Sequence, residues 1–301
     1  MTPRELKEAY ARGENITSLL RTEQGTSANS EEIIEIAYDL QAGRYIAALE
    51  KPGILDHKFA YGREIAGIIS SLGALSVLEA GIGEATTLAF VLDALGSKEI
   101  QASGFDISWS RVRHAAQFLE SRGISDSLLA VASIFHIPYA DSAVDVVYTS
   151  HTIEPNGGRE REILAELYRV TKRYLVLIEP GYELASDEAR ARMDSLGYCR
   201  NLPGHAADLG MKVLRHELFP HSANPLNPTA ITVIEKDPAA PLGAADWVCP
   251  KYRTPLETFD DCEFSEEAMR AYPRLGGIPC LRIEDGIIAS QYKNFRNPSK
   301  P

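Results

Sequence analysis

Residues 77–88 read VLEAGIGEATTL, and their reading decides the fold. An apolar run ends at Glu79, the pattern Glu79-x-Gly81-x-Gly83 makes a turn, and a helix is expected from Glu84 to Leu95. Gly81 permits a sharp turn and Gly83 leaves room for a ligand to touch backbone. Free N–H groups at the helix start suit an anionic group. Outward from this unit the alternation repeats. LSVLEA (75–80) is the first strand. IQASGFD (100–106) is followed by a helix from Ser108 to Arg122, and LLAVAS (128–133) leads through a loop to VDVVYTS, starting at Val144. A helix from Arg159 to Thr171 precedes YLVLIE (174–179), and another runs near Ser186 to Leu196. Continuous apolar strands alternating with helices indicate a parallel sheet wrapped by helices, an α/β fold. MKVLRHELF (211–219) and TAITVIE (229–235) have no helix between them, so an antiparallel hairpin at one edge is expected.

The flanks differ in texture. In SANSEEIIEIAYDLQAG, Asn29 or Ser30 caps a helix, Glu31 and Glu32 suit its positive end, and Ile33, Ile36, Ala37 and Leu40 share a face. Gly43 ends that run. Pro52-Gly53 breaks the chain before a helix from His57 to Leu72. Lys236 to Pro241 reads as a linker, and from Asp246 a small β-rich unit follows. The expected division is a helical cap (1–55), an α/β domain (56–236), and a linker with a small appendage (237–301). At about 55 residues the appendage is marginal alone, so docking on the main domain is expected.

Composition narrows the classes. The 301 residues are 45% hydrophobic and 24% charged, enough for a sizeable core. Lys plus Arg total 31 against 42 Asp plus Glu, a net −11 that argues against nonspecific nucleic-acid binding and against an anionic membrane surface. No apolar run reaches the roughly 18 residues of a membrane span, and MTPRELKEAYARGEN lacks the apolar region of a secretory signal. Four separated cysteines without a CxxC pair suit a reduced, cytoplasmic compartment.

Asp106 ends the second strand, 23 residues after Gly83, where a carboxylate can accept both hydroxyls of a ribose. The alternative for Asp106 is an N-cap for helix 108–122. Two adenosine ligands compete. A dinucleotide wants a small residue where Thr86 stands, and its pyrophosphate would be repelled by Glu79. A sulfonium bearing an ammonium suits Glu79, which favours S-adenosylmethionine.

Four blocks in order, VLEAGIGEAT, GFDIS, ASIFHIPYADSAVDVVYTSHTIE and ELYRVTKRYLVLIEP, resemble class I S-adenosylmethionine-dependent methyltransferases, and more narrowly their small-molecule branch. The resemblance covers about residues 74–236. It implies a Rossmann-like sheet flanked by helices, with Glu79, Gly81 and Gly83 along the methionine part and Asp106 on the ribose. Ile107 would lie against the adenine, and Ser133 and Ile134 at its edge. The chain departs at Ser133, where the family usually has Asp, which leaves the adenine amino contact weaker or water-made. Ala143-Val144 replaces a common Phe and reads as core.

Ligands of such sheets lie beyond the carboxyl ends of the strands. His151 is the candidate base for a hydroxyl acceptor, because its ordinary pKa is near working pH. Its alternative is a hydrogen bond to cofactor or backbone. Glu154 would orient it, and Glu179 would act with them or cap a turn. Tyr182, Tyr198, Arg200 and His205 are candidate acceptor contacts, with His221, Asn224 and Asn227 nearby in sequence. Tyr38, Asp39, Gln41 and Tyr45 would form a lid. At the C-terminus, CPKYRTPLE (249–257) and AYPRLGGIPCLRIEDGIIAS (271–290) resemble a zinc-ribbon-like partner module of methyltransferases. Tyr252 stands where that module has a cysteine. Cys249, Cys262 and Cys280 do not make a four-ligand set, so no metal is expected, and Tyr272, Pro273, Ile278 and Leu281 read as a small core.

The implied function is methyl transfer from S-adenosylmethionine to a small or glycan-linked polar acceptor, leaving S-adenosylhomocysteine. Oxygen is the favoured atom on account of His151, and surface-polysaccharide or natural-product pathways fit the texture. Nucleic-acid and membrane partners are not expected, and a homodimer is allowed. A non-catalytic cofactor-binding scaffold and a protein-modifying enzyme are the competing readings.

Overall fold

The computed structural model describes residues 1–96, 100–237 and 245–296. Most of the expected linker falls outside these residues. The chain opens with α1 (Pro3–Ala11), α2 (Ile16–Gln24), α3 (Glu31–Asp39) and α4 (Arg44–Ala48). Ser30 caps α3 by accepting from the Ile33 N–H. Leu6, Ala9, Ile16, Leu20, Ile33 and Ala37 form a core of their own. Ile34, outside the expected stripe, is also buried.

Next come α5 (Ile54–Ser71), β1 (Ser76–Ala80), α6 (Leu88–Leu95), β2 (Gln101–Asp106), α7 (Trp109–Ser121) and β3 (Leu128–Val131). They are followed by β4 (Val144–Ser150), α8 (Glu160–Val170), β5 (Thr171–Pro180), α9 (Asp187–Leu196) and α10 (Leu202–Asp208), then β6 (Lys212–Leu218) and β7 (Thr229–Glu235). The strands form a seven-stranded sheet in the order β3-β2-β1-β4-β5-β7-β6. The first five are parallel, while β7 runs antiparallel to both β5 and β6. The hairpin expected at one edge is therefore there. The core lies on both faces, Leu78, Val147 and Leu175 on one and Val77, Val146 and Val176 on the other. Alternate residues of β1, β4 and β5 thus feed two layers, the reason these strands read as unbroken apolar runs.

The expected helix from Glu84 starts only at Leu88. Ala85 has φ +57, a left-handed conformation that interrupts helical geometry. Glu84 accepts the N–H groups of Gly43 and Ile46, at 3.0 and 2.8 Å, tying α4 to the turn after β1.

The C-terminal part is a small sheet of β8 (Glu257–Thr258), β9 (Cys262–Ser265), β10 (Arg270–Leu275), β11 (Ile278–Pro279) and β12 (Ile287–Ile288), followed by α11 (Tyr292–Arg296). Tyr272 and Leu281 are buried with Cys249 against Ala130 of β3, and Ile278 packs on Val112 and Val131. The Leu281 N–H donates to the Val131 carbonyl at 2.7 Å and Cys280 makes a parallel bridge with Val131. Trp109 donates from Nε1 to the Leu275 carbonyl at 3.0 Å. Among the described residues no helix is long and apolar enough to cross a membrane, and no cluster of three or more metal-ligating side chains occurs.

Candidate active site

The parallel strands end at one side of the sheet, and the turns there build the site. Gly81 follows β1 with φ +72, and a Cβ on it would lie 2.1 Å from Thr152 Cγ2. Thr152, after β4, donates from Oγ1 to the Ala80 carbonyl at 2.8 Å, so the two turns are laced together. Gly83, with φ +54, faces the Arg111 guanidinium. Asp106 accepts the Gly83 N–H on Oδ2 at 2.9 Å and the Ser108 N–H on Oδ1 at 3.0 Å. It is not the cap of α7. Ser108 is, accepting the Arg111 N–H on Oγ. Each Asp106 oxygen keeps further acceptor capacity.

Above these turns lies a slot of about 550 Å³, walled by Ile34 and Tyr38 of α3, Phe105 of β2 and Ile107 after it, and Ile134 and Phe135 after β3. Asp106 and Glu31 stand in its polar margin. Ser133 is buried behind it, donating its hydroxyl to Glu31 Oε1 and accepting the Phe135 N–H at 3.1 Å. A second pocket, about 1060 Å³ to its open mouth, adjoins the slot. It is bordered by Lys58 and Tyr61 of α5, by Glu79, and by His221, Asn224 and Asn227 of the β6–β7 loop. Tyr38, Gly81, Arg111 and His151 border both.

Glu79 is buried and accepts from the Tyr148 hydroxyl at 3.0 Å. Burial pushes its carboxyl up to about 8, against the lowering effects of that hydrogen bond and of the Lys58 charge. Burial and the Arg111 charge in turn lower Lys58, with Glu79 opposing them. Arg111 stacks over Tyr38 and Tyr45, at 5.1 and 4.8 Å from their ring centroids, and its buried Nε has no partner. Lys58 and Arg111 suit the carboxylate end of an amino acid, and Glu79, once ionised, suits its ammonium end.

His151 has φ +56, a region in which histidine is enriched. Its Nδ1 lies 2.5 Å from Glu154 Oε2 and its Nε2 lies 3.0 Å from Thr229 Oγ1. Burial alone would lower the imidazole, but the hydrogen bond and charge of Glu154, with Glu179, outweigh it and raise the pKa above 6.5. Glu154 moves the other way. Burial would raise it, and His151, Tyr198 and Asn227 together hold it below the usual carboxylate range.

Glu179 has a different task from the catalytic one expected of it. Its carboxylate accepts the N–H groups of Thr152 and Ile153 on Oε1 (2.9 and 3.1 Å) and of Glu154 on Oε2 (3.1 Å). It borders neither pocket and instead holds the loop that carries His151. Glu179→Ala would leave three N–H groups without an acceptor, at about 1–3 kcal/mol each. Even at the low end, about 1 kcal/mol each, the midpoint of thermal unfolding is expected to fall by at least about 6 °C. A fall of only a degree or two would contradict this role.

Of the candidate acceptor contacts, only Tyr198 reaches the site. It borders a cleft with Tyr10, Tyr38, Tyr45 and Glu154. Arg200 is exposed and pairs with Asp194 at 3.3 Å, and Tyr182 donates to the same Asp194 at 3.1 Å. His205 lies on α10, away from both pockets. Tyr38, Tyr45 and Gln41 do face the clefts, and Asp39 fastens α3 by accepting from the Ser108 hydroxyl at 2.7 Å. Lys58, Arg111 and Glu31 were not foreseen. For two of them a signal existed. Lys58 recurs with Tyr61, Ile65 and Ile69, and Arg111 with Ala115 and Leu119, so each places a charge on an apolar helical stripe.

Residues 77–174 match the family model described as a methyltransferase domain. Among solved structures, magnesium protoporphyrin IX methyltransferase from Synechocystis PCC 6803 with bound S-adenosylhomocysteine superposes with a TM-score of 0.55. The identity is 13%, over 69% of this chain and 100% of that one. Its form with bound S-adenosylmethionine gives 0.54 at 14% identity, over 70% and 100%. Likeness at this identity concerns the fold. No curated protein matches the sequence. The chain thus carries a methyltransferase domain, in the fold of the S-adenosylmethionine-dependent methyltransferases.

Proposed function

We propose that the protein transfers a methyl group from S-adenosylmethionine to the oxygen of a small or glycan-linked polar acceptor, with His151 as the base. One observation carries this reading: His151 stands where the slot meets the second pocket, its ring oriented by Glu154. When bound, the cofactor supplies a methyl group already activated by its positive sulfur. The chain has to place, orient and take a proton. Asp106 accepts from the ribose hydroxyls, Glu79 faces the ammonium, and the backbone of Gly81 and Gly83 lies along the methionine part. Donation from His151 Nδ1–H to Glu154 leaves the Nε2 lone pair as acceptor, now met by Thr229 Oγ1. A hydroxyl acceptor entering the second pocket would meet Nε2 there and give it its proton as the new O–C bond forms and the methyl–sulfur bond breaks, with S-adenosylhomocysteine as the leaving group.

Ser150, Asn224, Asn227 and Tyr45 around that pocket are hydrogen-bonding side chains suited to an acceptor rich in hydroxyls, such as a sugar or a natural product. Free cysteines at 199, 249, 262 and 280 support a cytoplasmic setting. The C-terminal segment is read as a metal-free relative of a zinc-ribbon module, attached for support.

Calorimetric titration with S-adenosylmethionine and S-adenosylhomocysteine tests the cofactor. Micromolar binding is expected, at least about tenfold weaker in Asp106→Ala. Glu79 must shed its proton before the ammonium arrives, so affinity should rise by up to about tenfold per pH unit below about pH 8. Failure of the wild type to bind either ligand would overturn the reading.

A further inference from the structure

We infer that the adenine of the cofactor is read by Glu31, a carboxylate supplied by α3 from outside the matched methyltransferase domain. The inference rests on the cofactor reading above and adds to it the residue that selects the base.

The slot walls are apolar, Ile34, Ile107, Ile134 and Phe135, and suit the faces of a flat heterocycle. Apolar walls hold a purine without telling one from another. Discrimination needs a polar group at the ring edge, and Glu31 is the carboxylate in the margin on the Ile134 side. Its geometry is fixed from behind. The Ser133 hydroxyl donates to Oε1 and is itself oriented by the Phe135 N–H at 3.1 Å. Oε2 has no hydrogen-bond partner among the described residues. A carboxylate oxygen in that state accepts from an exocyclic amine and repels a carbonyl oxygen in the same place. The 6-amino group of adenine is such a donor, whereas hypoxanthine puts an oxygen there.

The helix that brings Glu31 is fastened at several points, as a recognition element needs to be. Asn29 donates to the Pro155 carbonyl at 2.8 Å, and Asp39 accepts from Ser108. One turn beyond Glu31, Glu35 pairs at 2.6 Å with Arg282 of the C-terminal part, close to the Cys280–Leu281 segment that lies along β3. The cap and the appendage thus meet one turn along α3 from Glu31, and position 133 is filled by a side chain that orients the acid.

The competing explanation is that Glu31 only docks α3 on Ser133, and the two differ in what they predict for the base. The experiment is calorimetric titration of the full chain, as wild type, Glu31→Ala and Glu31→Gln. Each is titrated with S-adenosylhomocysteine and with S-inosylhomocysteine, its 6-oxo analogue. Wild type is expected to prefer the adenosine ligand by at least about tenfold, as for a hydrogen bond to a charged group. Glu31→Ala should lose about that factor for the adenosine ligand and change less than about threefold for the inosine one. Glu31→Gln, whose amide can donate to a 6-oxo group, should narrow or invert the preference. Equal weakening of both ligands, or variants that bind the adenosine ligand like wild type, would overturn the inference. So would a wild type that binds both ligands alike. A wild type that binds neither removes the cofactor reading itself, a result visible before any variant is made.

Discussion

His151→Asn is expected to lower kcat by a factor of about 10² to 10⁴, the usual contribution of a positioned base, with KM changed little. Asparagine tolerates the φ of +56 at this position and keeps the main-chain bond to the Ile178 carbonyl, so the loop need not move. What it cannot do is take a proton at Nε2. The pH dependence has a definite sign. As the proposed base, His151 works as neutral imidazole, and its pKa is held above 6.5 by Glu154, so kcat/KM of the wild type should rise through a pKa on the alkaline side of 6.5. In Glu154→Gln the nearest opposing charge and its charged hydrogen bond are gone and only Glu179 still opposes burial, so the rising limb should move to lower pH. Rates that fall little in His151→Asn, with an unmoved limb in Glu154→Gln, would mean the acceptor loses its proton elsewhere.

Gly81→Ala is the other large effect. The new Cβ would stand 2.1, 2.4 and 2.7 Å from Cγ2, Oγ1 and Cβ of Thr152. Thr152 is in no position to yield, since its hydroxyl is bonded to the Ala80 carbonyl and its N–H to Glu179. A φ of +72 adds about 1 kcal/mol or more for any L side chain, and overpacking about 1–3 kcal/mol. Thermal unfolding should show a loss of about 3 kcal/mol. Cofactor affinity should fall at least about a hundredfold, because the displaced turn is the floor of both pockets. The check is the pair Gly81→Ala with Thr152→Gly. Removing the obstructing side chain should restore much of the loss, leaving the backbone strain. A single variant that folds and binds like wild type would show that the turn gives way more easily than this packing allows.

Much of this site was legible because it lies on strand ends. Glu79, Gly81 and Asp106 sit at fixed distances from apolar runs, and parallel strands carry such ends to one side of a sheet whatever happens between them. The antiparallel hairpin could be read from a missing helix. The start of α6 could not, because Ala85 carries no local mark of its left-handed conformation and is held there by the fold. Lys58, Arg111 and Glu31 come from helices, where a charged residue ordinarily means a solvated face. The apolar stripes of α5 and α7 turn Lys58 and Arg111 inward, whereas Glu31 faces the slot only because α3 packs beside it. Arg200 failed in the opposite sense. Its chemistry suits an anionic acceptor, but its local partner Asp194, six residues earlier, holds it at the surface.

The large sheet is covered at one edge by the C-terminal segment. β3 is its outermost strand on that side, and the segment at Cys280–Leu281 lies along it, taking the Val131 carbonyl. An outer strand left bare offers unpaired backbone groups to any other chain, here beside Val112, Ala130 and Val131, which the appendage now covers. Cut away from its last fifty residues, the α/β part would keep His151 and Glu154 and still be a sticky particle. Its first failing in the tube would be insolubility, well before any failing in chemistry.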